Sequence, residues 1–275
     1  MNDKFAFRGL INDPPRSSRF GAVLLIFLII IYGLSLIHVL PRSAGIWIPH
    51  VMFLMLPLAI ASKSIYAVHF NLFLLCLYLM DFFPHFPSYP LDHLTALTLY
   101  AYVVMLIPAL RGSVGWLRTG KFDAQIWTLV LITIVIPCAA LAAWVKVFSP
   151  DLSRYSGMVS KFPLWLVILY GVGGSAFNAA LEEITWRGVM LEALHSAFGP
   201  GFWPVIIQSV SFSVAHYRNG FPNGIIGCAM VFVFGIMLGI IRRKSKGMLA
   251  CWLAHAAVDS AIYCMVFHFI SESSK

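Results

Sequence analysis

The residues of this chain best suited to chemistry sit in the run Leu181-Glu182-Glu183-Ile184-Thr185-Trp186-Arg187-Gly188. Two adjacent carboxylates and an arginine close an apolar stretch that begins near Phe162. An acid placed in a bilayer costs about 2.5–3.5 kcal/mol on insertion scales, so a pair of them demands a reason. A carboxylate beside an imidazole can take a proton from water. A second group must then polarise the carbonyl under attack and stabilise the developing oxyanion. Two later segments offer such groups: Phe212-x-x-x-His216 and His255-x-x-x-Asp259.

Simple helix geometry relates some of these residues. The breaker Phe198-Gly199-Pro200-Gly201 closes a helical hairpin. Glu182 lies about 18 residues before its centre and His216 about 16 after it, so at about 1.5 Å per residue the two fall at similar height. Residues four apart share a helix face. Asn178 therefore pairs with Glu182, and Glu183 pairs with Arg187 on another face. The spacing predicts that Glu183 and Arg187 neutralise each other and leave Glu182 for catalysis. Gln208, Phe212 and His216 form one stripe; Cys251, His255, Asp259 and Tyr263 form another. His255 is a candidate donor to an oxyanion, but spacing alone does not align the last helix with the first two.

The elements that must position these groups are membrane helices. Hydrophobic residues make up 60% of the 275-residue chain and charged residues 11%, far from the soluble norm of about 45–50% and about 25%. The sequence predicts an all-α, polytopic membrane helix bundle of about eight to nine transmembrane helices. Spans are expected near 20–40, 45–61, 65–83, 93–110 and 124–148, after a cytoplasmic tail at 1–19. The first run is too long for a cleavable signal. Residues 20–150 then form the N-terminal spans and 160–270 a catalytic helix core. That core carries the small residues Gly171, Gly173, Gly174 and Ser175, and a Gly235-x-x-x-Gly239 face for close packing.

The net charge of +8 reflects topology and lipid contact rather than nucleic acid. Lys4, Arg8, Arg16 and Arg19 mark one cytoplasmic segment, and Arg242, Arg243, Lys244 and Lys246 another. An even number of crossings separates them. Nine spans satisfy this, although Lys146, Arg154 and Lys161 then lie outside. The five cysteines are scattered through apolar segments with no C-x-x-C pair, which argues against disulfides and a zinc cage. No H-E-x-x-H is present. No cofactor and no metal are expected, although Glu182, His216, His255 and Asp259 have the chemistry to ligate one.

Taken in order, Glu182-Glu183-x-x-x-Arg187, Phe212-x-x-x-His216 and His255-x-x-x-Asp259 resemble the signature of the CAAX-protease and bacteriocin-processing family of intramembrane glutamic endopeptidases. The resemblance covers about 160–270. It implies hydrolysis of a peptide bond, with Glu182 and His216 activating water and His255 with Asp259 forming the oxyanion site. Glu183, Arg187, Phe212 and Asn178 would support them. The prenyl-protease branch usually has asparagine where this chain has Asp259. An ionised aspartate cannot donate a hydrogen bond, so Asp259 is either protonated or orients His255. The implied partners are a membrane-associated peptide or protein substrate and membrane lipid, in a bacterial inner membrane with the N-terminus cytoplasmic. Two rival readings use the same residues: a non-catalytic scaffold or immunity protein, and a proton-coupled transporter with Glu182 and His216 as relay.

Overall fold

The computed structural model describes residues 16–36, 47–80, 83, 89–150 and 164–273. The tail residues Lys4 and Arg8, and the loop residues Arg154 and Lys161, lie outside them. The described residues are helical and contain no strand. In chain order the helices are α1 (Arg19–Leu36), α2 (Ile48–Ala61), α3 (Ile65–Leu79), α4 (Leu91–Leu106), α5 (Pro108–Arg111), α6 (Ala124–Phe148) and α7 (Leu164–Glu183). A π-helical segment, Ile184–Met190, follows directly. Then come α8 (Leu191–Phe198), α9 (Trp203–Asn219), α10 (Gly224–Ser245) and α11 (Leu249–Ser273).

Among the described residues, four helices are long and apolar enough to cross a membrane: α1, α6, α10 and the Leu249–Phe269 part of α11. Three more apolar helices, α2 to α4, are shorter. The protein is therefore an integral membrane protein built as a helical bundle. Large apolar side chains such as Leu131, Val135 and Ile136 on α6 are exposed, as a lipid-facing surface requires.

Local chemistry sets several boundaries. Ser64 caps α3 by accepting from the Ala67 amide at 3.2 Å, and Asp123 caps α6 by accepting from the Ile126 amide at 2.9 Å. Lys121 Nζ, 2.9 Å from Asp123 Oδ2, holds that exposed carboxyl below its ordinary pKa, and the Ile126 amide adds to the effect. The run expected at 93–110 divides. Ile107 takes an extended conformation (φ −102°, ψ 108°) ahead of Pro108, and the short α5 follows. Proline disfavours the helical region for the residue before it.

The chain forms two compact units, residues 1–118 with 184–235 and residues 119–183 with 236–275. The expected 160–270 core thus contributes to both. In the first unit, Ser17 hydroxyl contacts those of Ser64 (2.5 Å) and Ser196 (2.9 Å), tying the start of α1 to α3 and α8. Gly235 meets Ser209, and Gln208 Nε2 donates to the Gly235 carbonyl at 3.0 Å, so α9 packs tightly on that part of α10.

In the second unit α11 packs along both α7 and α6. Tyr263 lies against the bare backbone of Gly171, and Trp252 Nε1 donates to the Ala176 carbonyl at 2.8 Å. Of the small residues on α7, Gly171 and Ser175 are buried, whereas Gly173 and Gly174 are exposed and would meet nothing within 4 Å with a side chain added. Close packing explains the first two and not the others.

The loop before α6 crosses the α10–α11 turn through backbone bonds, Lys121 N–H to the Ser245 carbonyl at 2.9 Å and Leu249 N–H to the Thr119 carbonyl at 3.3 Å. Gly120 sits at φ +85°, and a Cβ there would come within 2.7 Å of Gly247 Cα and the Ser245 carbonyl oxygen. Both obstacles are backbone and cannot swing aside. Gly120→Ala is expected to cost about 1–3 kcal/mol, read as a lowered thermal midpoint in detergent. An unchanged midpoint would contradict this crossing.

Candidate active site

The polar groups of the second unit gather where the last turns of α7 face α11. Glu183 and His255 are buried, their side chains 0% and 3% exposed, and Glu182 and Asp259 are partly covered at 13% and 17%. His255 Nδ1 lies 2.8 Å from Glu183 Oε1. The other ring nitrogen, Nε2, lies 3.6 Å from Glu182 Oε2 and 3.5 Å from Asp259 Oδ1. Three carboxyl groups therefore surround one imidazole.

Asn178 completes the group. Its amide nitrogen donates to Asp259 Oδ2 at 2.9 Å and to Glu182 Oε1 at 3.3 Å. The pairing of Asn178 with Glu182 follows the four-residue spacing on α7. The link across to Asp259 does not, because it depends on how α11 docks.

The first unit holds the other three motif residues. Phe212 is buried, and the guanidinium carbon of Arg187, itself fully buried, lies 4.2 Å from the centre of its ring. That distance is a cation–π contact. Trp186 meets the same ring edge-on at 5.1 Å between centroids and donates its indole N–H to Ser211 at 3.3 Å. The ring of His216 packs edge-on against Phe212 at 4.7 Å. His216 Nδ1 lies 2.9 Å from the Phe212 carbonyl oxygen. A carbonyl can only accept, so Nδ1 carries a proton. In the neutral ring the lone pair then sits on Nε2, the tautomer suited to accept a proton.

The structure thus brings Asn178, Glu182, Glu183, His255 and Asp259 into one cluster, and Arg187, Phe212 and His216 into another. Sequence reasoning missed the role of Glu183 as partner of His255, since no periodicity connects α7 to α11. It also missed Gly220, where a Cβ would collide with the His216 side chain; a glycine four residues after a histidine is too common a signal. The Cys251 thiol donates to the Met248 carbonyl at 3.0 Å, a packing role. Among the described residues no three His, Cys, Asp or Glu side chains are arranged to hold a metal ion.

Residues 162–261 match the family model described as type II CAAX prenyl endopeptidase Rce1-like. The matched segment contains every residue of both clusters. No curated protein and no solved structure matches the chain.

Proposed function

We propose that this chain, whose residues 162–261 match the type II CAAX prenyl endopeptidase Rce1-like family model, is an intramembrane endopeptidase of the glutamic type. Its substrate is a membrane-associated peptide or protein cut near a terminus. One observation supports the reading most. A buried histidine, anchored through Nδ1 by Glu183, turns Nε2 toward Glu182 and Asp259 where α7 faces α11.

In the proposed reaction Glu182 takes a proton from water while the water oxygen bonds to the scissile carbonyl carbon. The carbonyl electron pair moves onto oxygen, and His255 Nε2–H donates to that oxyanion. Collapse reforms the carbonyl and breaks the C–N bond, and the proton held by Glu182 passes to the departing amine. His216 is the second group assigned to the water, a role that the sequence motif gives it and that its Nε2 lone pair suits. For Nε2 to donate, the proton between Glu183 and Nδ1 must sit so that Nε2 also carries hydrogen. Either a doubly protonated ring or a protonated Glu183 donating to Nδ1 meets that condition. In either case Asp259 accepts from Asn178 and orients the imidazole rather than donating to the substrate.

The test is cleavage by protein reconstituted in vesicles. The probes are a membrane-bound peptide with a prenylated C-terminal cysteine motif and the same peptide without the lipid. His216→Ala is expected to lower kcat by about 10²-fold or more with the fold intact. A strong chelator is expected to leave the wild-type rate unchanged. Loss of cleavage on chelation, restored by added metal, would replace the glutamic mechanism with a metal-dependent one.

A further inference from the structure

The contacts around His255 close into a four-membered ring of side chains. Asn178 Nδ2 reaches Glu182 Oε1 at 3.3 Å and Asp259 Oδ2 at 2.9 Å. The opposite oxygens, Glu182 Oε2 and Asp259 Oδ1, face the same imidazole nitrogen at 3.6 and 3.5 Å. An amide nitrogen carries two hydrogens directed about 120° apart and has no lone pair to offer. It can serve two carboxyl oxygens at once and no other side chain of that size can do so without bringing a full charge. From this we infer that Asn178 is a positioning residue of the proposed peptidase site. It holds one oxygen of each acid and thereby decides which oxygen of each is presented to His255 Nε2.

The alternatives at position 178 show why the residue type matters. Alanine removes the hydrogen bond to one oxygen of each acid, so the amide no longer selects the proton-accepting oxygen of Glu182. Aspartate is nearly the same size but has no hydrogen to donate when ionised, and it sets a third acid against two others. Like charges this close are strongly unfavourable away from water. The ring also explains how Glu182 and Asp259, on different helices and each facing the same imidazole nitrogen, are kept from collapsing onto it. Both Nε2 distances exceed an ordinary hydrogen bond of about 2.7–3.2 Å, whereas the Glu183 contact on Nδ1, at 2.8 Å, does not. The amide draws the two carboxyls away from the ring on the side opposite the anchor.

This inference rests on the peptidase reading, and the experiment separates the two. Asn178→Ala, Asn178→Asp and the exchanged pair Asn178→Asp with Asp259→Asn are compared with wild type for cleavage of the vesicle-bound peptide. Asn178→Ala is expected to lower kcat at least tenfold with KM changed less than threefold, and Asn178→Asp is expected to be worse. The exchanged pair, which restores one amide facing one acid, is expected to recover at least tenfold over Asn178→Asp alone. Full kcat in Asn178→Ala, or no recovery in the exchanged pair, overturns the inference while leaving the peptidase reading in place. A second measurement does not depend on cleavage. Thermal midpoints in detergent of Asn178→Ala, Asp259→Ala and the double variant are expected to be non-additive, since removing either partner breaks the same bridge. Additive shifts overturn the inference. Wild-type protein that cuts neither peptide overturns the peptidase reading itself, and does so whatever the midpoints show.

Discussion

Glu182→Gln is expected to remove cleavage almost completely, by about 10²–10⁴-fold in kcat, the span that a general base contributes. Glutamine is close to isosteric with glutamate, and its carbonyl oxygen can still accept from Asn178, 3.3 Å away in the native chain. What it cannot do is accept a proton from water. The change therefore isolates basicity from shape. Stability should move little, because glutamine keeps the shape of the side chain and the contact with His255 is long at 3.6 Å. The measurement pairs single-turnover cleavage in vesicles with a thermal midpoint on the same preparation. A large loss of rate with the midpoint shifted by no more than a few degrees supports catalysis by this carboxylate. A rate within about threefold of wild type would end the glutamic mechanism. A rival membrane scaffold predicts that the substitution changes nothing it does. A proton-coupled transporter predicts lost pH-driven flux and no peptide product from either form.

How much of this was legible from residues alone depends on whether the information lay along one helix or between two. The apolar runs announce the membrane helices, and Ser64 and Asp123 announce two of their beginnings by capping chemistry. The break at Ile107–Pro108 has a local cause that the hydrophobic pattern conceals, because proline there interrupts the helix without interrupting the apolarity. The motif spacing on α7 points to the contact of Asn178 with Glu182 and, on α11, to the shared face of His255 and Asp259. It does not reveal that these faces meet. Their register is set by Tyr263 against Gly171 and Trp252 on the Ala176 carbonyl, contacts with no period in sequence. The reading of Glu183 with Arg187 assumed an α-helix continuing past residue 183. From Ile184 to Met190 the backbone is π-helical, where bonds close at i+5 and the four-residue rule no longer assigns faces. The same segment enters the count that placed Glu182 and His216 at similar height, a count that assumed an α-helical rise throughout. Arg187 meets the Phe212 ring, and Glu183 meets the His255 imidazole.

The second large effect is expected at Glu183, and its direction differs with the substituent. Glu183 is fully buried, and its Oε1 lies 2.8 Å from Nδ1 of a histidine whose side chain is 3% exposed. Breaking a buried pair by deleting one partner costs about 3–5 kcal/mol, because the other is left without compensation. Glu183→Ala should therefore lower the thermal midpoint far more than Glu182→Gln does, and it should lower yield as well. Glu183→Gln keeps an oxygen at the same place and still accepts from Nδ1–H. Its cost should be smaller, about 1.5–3 kcal/mol for a hydrogen bond that involved a charged group. The activity of Glu183→Gln carries the mechanistic content. If Glu183 fixes the protonation and orientation of His255, the amide leaves the ring in place and removes the acid that sets its proton, and kcat should fall by about 10²-fold or more, as when the buried acid behind a catalytic histidine is made an amide. KM should change little, because the fully buried Glu183 offers no surface for the peptide to touch. If Glu183 only braces the helix pair, Glu183→Gln should cut at close to the wild-type rate wherever it remains folded. A stable Glu183→Gln protein with full kcat would reduce this contact to packing, and the oxyanion role of His255 would then have to stand without the group that buries its other nitrogen.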